Sequence, residues 1–367
     1  MPPPAPLAVS IDTARRFVRR AGLLDTPVLD AATALDHLGY VQIDPVNVCG
    51  RMHDLILRNR VTGYRAGDLH AHIHAAERRG FEHYLRGGHG VLVAFPLEAW
   101  PYLTAGMMQR RHLRGAHSGR LTPRETALAE RILAEIASRG PLTSGDIEHE
   151  GRARSAWGRP GRLVKHVLEK LFAHGRLLIS GRRDFRRVYD LPERVLPRSV
   201  LDQAPRAEAE VRTWLVLQRL RQRRLVNLSS REAALAADHV QPVAVDGLPG
   251  LYCLKSDAWL FDAVQAEEPP VATPVLLAPL DPLIYDRVLT RRLWNFDYRW
   301  EAYTPPAKRK RGHYALPVLA GTEIVGHVDP KADRRAGELL VLARRVRRGH
   351  RVAGAIRELA TFLCLGA

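Results

Sequence analysis

Three cysteines serve 367 residues, and Cys49, Cys253 and Cys364 stand far apart with no Cys-x-x-Cys pair. That spacing offers neither a disulfide framework nor a zinc finger. No apolar run approaches the roughly 18 residues a membrane span needs. The opening MPPPAPLAVS has no basic region and no long apolar core, so it does not read as a signal peptide. The expectation is a cytoplasmic, nucleoid-associated protein with no membrane contact. Acidic residues are also short, 39 Asp and Glu against 56 Lys and Arg, for a net charge of +17 and a pI near 10.4. Such a surface attracts polyanions, of which DNA, RNA and acidic membranes are the usual ones. A GC-rich genome also raises arginine, so charge alone does not choose among these.

What is present is ordinary globular material. Hydrophobic residues make up 46% and charged residues 26%, enough for more than one core. The length suggests two or three domains. Histidine is abundant at 16, with an alternating His70-x-His72-x-His74, and Cys49 lies four residues before His53. None of this has the closed ligand spacing of a metal site, so no metal is expected.

Residues 10–21 read as a helix capped by Ser10, with Ile11, Ala14, Phe17, Val18 and Ala21 on one face. Arg15, Arg16, Arg19 and Arg20 make its other face basic. A second helix covers 28–38 and stops at Gly39. The short β-prone run Tyr40–Asp44 follows, and Pro45 ends it. A third helix is expected over 50–60. Between 122 and 191 the signals sharpen. Thr122-Pro123 opens a helix, Leu142–Ile147 begins a short second one, and 161–174 forms a third. Strands at 177–179 and 186–189 then flank the basic turn Gly181–Asp184. Three helices followed by a β-hairpin is the order of a winged helix, whose third helix enters a groove and whose wing, Arg182 and Arg183, can touch phosphates. Residues 206–262 look like a further, degraded unit, with strands near 251–254 and 259–261. Beyond the linker 265–274, strands at 275–277, 298–303, 314–319 and 323–328 suggest a small barrel or curled sheet, and 351–366 a closing helix.

Gln42-Ile43-Asp44 is the first chemical candidate. In an extended segment residues i and i+2 share a face, so Gln42 and Asp44 point together with Ile43 turned inward. Hydrolysis of an N-glycosidic bond passes through an oxocarbenium-like state. A carboxylate stabilises that charge and activates water, and an amide holds the water in line. As a bare tripeptide it arises by chance. The second candidate is Lys308-Arg309-Lys310-Arg311, between two expected strands and so at an exposed hairpin tip, where four consecutive cations invite a phosphate backbone. Arg344, Arg345, Arg347, Arg348 and Arg351 form another cluster. Phe81, Tyr84, Trp100 and Tyr102 can wedge or stack bases, or simply fill a core.

The order of these motifs resembles a known family. Tyr40-Val41-Gln42-Ile43-Asp44, continuing through Asn47, Val48, Arg51 and His53, resembles the signature of the winged-helix crosslink-repair DNA glycosylases, the YcaQ/AlkZ family. Gly140–Leu142, Leu171-Phe172-x-x-Gly175 and Phe185–Arg194 are similar to that family's central winged helix. Leu277–Arg287 and Phe296–Arg309 are similar to its most specific stretch.

The resemblance implies an α+β fold of tandem winged-helix (helix-turn-helix) domains with a C-terminal small β-barrel-like unit. Its expected parts are 1–118 with the tripeptide, 119–200 as the central winged helix, 201–268 as a third unit and 269–367 with the basic hairpin. It implies a monofunctional DNA glycosylase that hydrolyses N-alkylated purines, bulky N7-guanine adducts and interstrand crosslinks. The enzyme would act as a monomer on double-stranded DNA, without cofactor. Gln42 and Asp44 take the catalytic places, in the Gln-x-Asp form of the broader repair branch. Lys308, Arg309, Lys310 and Arg311 match the DNA-contacting hairpin. Arg51, His53, Arg182 and Arg183 are further expected DNA contacts, and Tyr84, Arg86 and Asn47 the expected lesion pocket. One departure stands out. The family's Phe-Glu-Tyr-Trp-x-His is here Phe81-Glu82-His83-Tyr84-Leu85-Arg86, with Tyr84 at the tryptophan position and Arg86, or His89 after a shift, at the histidine. A non-enzymatic winged-helix regulator or a lesion-binding scaffold remains an alternative reading of the residues.

Overall fold

The computed structural model describes residues 5–85, 90–154, 160–184 and 186–366. The chain divides into two compact units. One is assembled from Met1–Gly39, Ile43–Leu69 and Arg212–Ala367, the other from Tyr40–Gln42 and His70–Val211.

In the first unit, helix Ile11–Ala21 starts where the Ser10 side chain accepts the Thr13 N–H at 3.1 Å. It buries Ala14, Phe17, Val18 and Ala21, and Phe17 stacks on Phe261 at a centroid distance of 4.0 Å. Its basic face is largely consumed inside the protein. Arg15 donates to the Leu293 carbonyl (2.7 Å) and Arg16 to that of Glu267 (2.6 Å). Arg19 is buried, pairs with Asp25 at 2.5 Å and donates to the Gly321 carbonyl at 2.8 Å. Helix Ala31–Leu38 ends on Gly39 at φ 74°, a left-handed turn that favours glycine. The expected strand at 259–261 is instead the start of helix Leu260–Ala266, where Phe261 and Val264 are buried three residues apart.

Two sheets belong to this unit. Leu7–Val9 runs parallel to Val240–Val245, which pairs antiparallel with Leu248–Leu254, itself paired with Val226–Asn227. The second sheet is a meander of Pro274–Leu276, Leu316–Ala320, Glu323–Asp333 and Glu338–Val346. Its first and last strands lie at opposite edges, so of the small barrel or curled sheet expected, the closed barrel is excluded and the sheet is open. No strand forms over 298–303. There the Tyr298 hydroxyl donates to the Ala315 carbonyl at 2.7 Å, and the aromatics pack a loop. One clamp crosses the core of this unit: Arg60 and Asp281, both buried, share two hydrogen bonds of 2.8 and 2.7 Å. Removing either partner strands a buried charge.

In the second unit, Thr122 and Glu125 form a capping box at the start of helix Pro123–Arg139. The short helix expected after Leu142 is absent among the described residues. Leu142–Thr143 is a strand opposite Val188 and Tyr189, and the Asp146 carboxylate accepts the Thr143 N–H at 2.7 Å to make a turn. Helix Leu163–Ala173 follows, then the hairpin of Leu178–Arg183 with Arg186–Asp190. Arg182 and Arg183 lie in the strand, not the turn. A three-stranded sheet places Leu92–Pro96 between Gly80–Tyr84 and Val41–Gln42, with Gln42 opposite Val93. No helix among the described residues is long and apolar enough to cross a membrane.

Candidate active site

The tripeptide is where the chain passes from one unit to the other: Gln42 closes a strand of the second, and Ile43 and Asp44 open a segment of the first. The regular strand ends at Gln42, so Asp44 is not placed by strand alternation as the sequence suggested. Gln42 is buried like Ile43 beside it, and its Oε1 has no hydrogen-bond partner among the described residues. A buried amide oxygen without a donor loses about 1–3 kcal/mol of desolvation. Such an atom calls for an explanation, and function is one.

Asp44 is half-buried in coil. Its Oδ1 accepts the Val46 N–H at 2.9 Å, the local turn an aspartate makes before an irregular segment. Its other oxygen accepts no hydrogen bond among the described residues. Burial pushes the carboxyl above its ordinary pKa, and the single Val46 N–H only partly offsets this. The segment after it is held firmly within the first unit. Ala332 N–H donates to the Val48 carbonyl at 3.0 Å, and the Tyr314 hydroxyl to the Gly50 carbonyl at 3.1 Å. Arg334 donates to Asn47 Oδ1 at 2.8 Å and to the Cys49 carbonyl at 3.1 Å. Asn47 is exposed, with its amide oxygen already engaged.

The basic run belongs to the same unit but is not a β-hairpin. Pro306–Lys308 is a single 3-10 turn, and the loop folds around one carboxylate. Glu301 accepts the N–H groups of Lys310 (2.9 Å), Arg311 (2.8 Å) and Gly312 (3.3 Å). Burial pushes this carboxyl up, but those three donors outweigh it and hold the pKa below the usual value. Arg309 is turned back to the Thr304 carbonyl at 2.8 Å, and Arg311 lies over the Phe296 ring at 4.7 Å. Lys308 and Lys310 are therefore the exposed cations of the run.

The remaining expected residues separate. His53 is fully buried in helix Met52–Leu57, which removes it from the set of phosphate contacts; Arg51, half-buried, caps that helix. In the second unit Arg182 is an ion-pair partner of buried Glu82, and exposed Arg183 pairs with Asp146 at 3.1 Å. Tyr84 is buried with its hydroxyl donating to Glu169 at 2.5 Å. His83 is buried against Phe172, and burial lowers its pKa to about 4, so its imidazole is neutral at pH 7. Arg86 and His89 lie outside the described residues. No group of three or more His, Cys, Asp or Glu among the described residues could hold a metal. His70 and His74 turn to Glu82 instead.

Sequence reasoning missed Tyr303, Trp300 and Arg334. Tyr303 is exposed, and after burial the Asp44 charge is what pushes its phenol pKa up. Burial raises the pKa of Tyr314 most, then Cys49, and Asp44 after them. Tyr303 and Trp300 lay within the family-like 296–309 stretch, but their run read as a strand and neither was given a role; Arg334 had no local signal.

A family model of AlkZ-like DNA glycosylases matches residues 35–362. The chain belongs to the AlkZ-like DNA glycosylase family. Its activity is that of a DNA glycosylase, its substrate DNA and its context DNA repair. The chain is also similar in structure to the DNA glycosylase AlkZ of Streptomyces sahachiroi. The TM-score is 0.62 at 18% identity, over 97% of this chain and 96% of that one. At that identity the likeness speaks for the fold. The Gln42-Ile43-Asp44 run and the 296–309 stretch both fall inside the matched family region.

Proposed function

We propose that this glycosylase hydrolyses the N-glycosidic bond of N-alkylated purines in double-stranded DNA, acting on bulky N7-guanine adducts and interstrand crosslinks as a monofunctional, monomeric enzyme. The observation that carries this is Asp44, a half-buried carboxylate with one oxygen unengaged among the described residues and its pKa raised by burial. Gln42 lies two residues away along the chain, so the two Cα atoms are within about 7 Å of each other whatever the local conformation. Its Oε1, without a partner among the described residues, suits the task of holding a water.

The reaction uses only water. The water oxygen attacks C1′ and its proton passes to Asp44. The C1′–N9 bond breaks with its electron pair moving to the base. A base alkylated at N7 is cationic and leaves neutral, so no second acid is needed. Asp44 also stabilises the positive charge that develops on the sugar. Lys308 and Lys310 neutralise phosphates, with Arg51 and Arg183 as further contacts. Helix Pro123–Arg139, the strand Leu142–Thr143, helix Leu163–Ala173 and the hairpin after it support reading this stretch as one of several winged helices.

The test is a duplex carrying one N7-methylguanine, with released base and abasic sites quantified. Wild type should release the base, and Gln42→Ala and Asp44→Asn should not at a comparable rate. Tight binding by wild type with no release would replace the enzymatic reading of these substrates with a lesion-binding scaffold.

A further inference from the structure

Beside the 44–50 segment, within one unit, three aromatic rings form a ladder from core to solvent. Tyr314 is fully buried, and its hydroxyl holds the Gly50 carbonyl at 3.1 Å. Trp300, half-buried, meets Tyr314 edge-on at 5.9 Å, and Tyr303 meets Trp300 edge-on at 5.6 Å. Edge-to-face contacts at this spacing are favourable and fix ring orientation. Tyr303 ends the ladder 70% exposed. The backbone around it is pinned. Thr304 N–H donates to the Glu301 carbonyl at 2.9 Å, and the Glu301 carboxylate gathers the loop that bears Lys308 and Lys310. Through Trp300 and Tyr314 the ladder reaches the Gly50 carbonyl, at the end of the segment that Asp44 opens, and the Asp44 charge adds to burial in raising the Tyr303 phenol pKa.

We propose that Tyr303 is the stacking platform for the damaged base and the residue that selects positively charged purines. This rests on the reading of Asp44 as the carboxylate that serves base release. An enzyme that takes a base out of the helix must cover the face it exposes. A tyrosine ring attracts a cation over its face, so an N7-alkylated guanine gains more from this surface than a neutral base of the same shape. The rigid mounting lets the ring do this with little loss of side-chain freedom.

The experiment separates binding from chemistry. Binding is measured to two non-hydrolysable duplexes, one with 2′-fluoro-N7-methylguanosine and one with neutral 7-deaza-7-methylguanine, for wild type and the Tyr303→Phe, Tyr303→Leu and Tyr303→Ala variants. Wild type and the phenylalanine variant should favour the cationic duplex by about tenfold, and the leucine and alanine variants should lose that preference. Their salt dependence of binding should match wild type, and their unfolding midpoints should fall only slightly, since the exposed ring loses little beyond its edge contact with Trp300. On hydrolysable N7-methylguanine DNA, kcat/KM of the leucine variant should fall by a similar factor. A wild type without preference, or a leucine variant that keeps it, overturns the proposal. So does a phenylalanine variant that loses as much as leucine, because the hydroxyl and not the ring would then be responsible. Should wild type show the preference yet release no base, the catalytic reading of Asp44 fails while the platform stands.

Discussion

Asp44 and Glu82 are both carboxylates withdrawn from water, in different units of the chain, and their surroundings push them in opposite directions. Glu82 is fully buried, yet its pKa is lowered to about 2: burial raises it, and the His74 hydrogen bond at 3.0 Å, Arg182 and the nearby His70 more than reverse that. Both of its oxygens are taken. Asp44 is less buried, yet burial raises its pKa, and among the described residues the Val46 N–H is the one donor that opposes this. A satisfied carboxylate holds a structure together. An underserved one beside solvent is available to a reacting group.

The comparison can be broken in several places. The largest effect is expected at Glu82. Glu82→Ala leaves Arg182 and His74 without their partner, and should lower the unfolding free energy in denaturant titrations by roughly 3–5 kcal/mol. The sign with pH follows from the depressed value. The stability Glu82 supplies is complete above its unfolded pKa of about 4.3 and is lost as pH falls towards 2. Glu82→Gln should flatten stability over that window. A Glu82→Ala protein as stable as wild type but inactive would reverse the two roles.

Next comes Gln42→Ala, which should slow base release about a hundredfold through loss of water orientation, with stability retained. The acid limb of the wild-type rate should lie above the ordinary aspartate value of about 3.9, because burial raises the Asp44 pKa. A limb at or below that value would break the link between Asp44 and the rate. Smaller still is the double variant Lys308→Ala/Lys310→Ala. It should reduce the slope of log binding against log salt by about 1.8 if each lysine meets one phosphate. Arg183→Ala should change that slope by about 0.9 at most and stability by less than about 1 kcal/mol, its ion pair being exposed.

Much of this was legible in the sequence where local chemistry decides. Ser10, Thr122 with Glu125, and Gly39 announce helix boundaries through capping groups and a left-handed turn. The tripeptide and the basic run were visible as residue types, and their order pointed to the family. What could not be read depends on partners distant in sequence. Arg19 looked like part of a solvated basic face, yet the Gly321 carbonyl, some three hundred residues on, accepts its hydrogen bond. His53 sits at a helical position beside Arg51 but faces the core. The aromatic alternation of 298–303 is the pattern of a half-buried strand, and the same spacing serves a loop because Glu301 binds three of the loop's own N–H groups. Tyr303 was hidden by that misreading, since strand alternation does not single out the one ring of the run that stands 70% exposed.

The central claim is that Asp44 is underserved because it works on the sugar–base bond. Single-turnover release of N7-methylguanine by Asp44→Asn, with the unfolding midpoint measured on the same preparation, tests it most directly. The rate should fall by about a hundredfold or more, as for loss of a general base. The midpoint at pH 7 should equal or exceed that of wild type, because burial disfavours the ionised carboxyl that the asparagine replaces. Release at the wild-type rate, or a loss of activity that merely follows a fall in the midpoint, would contradict it.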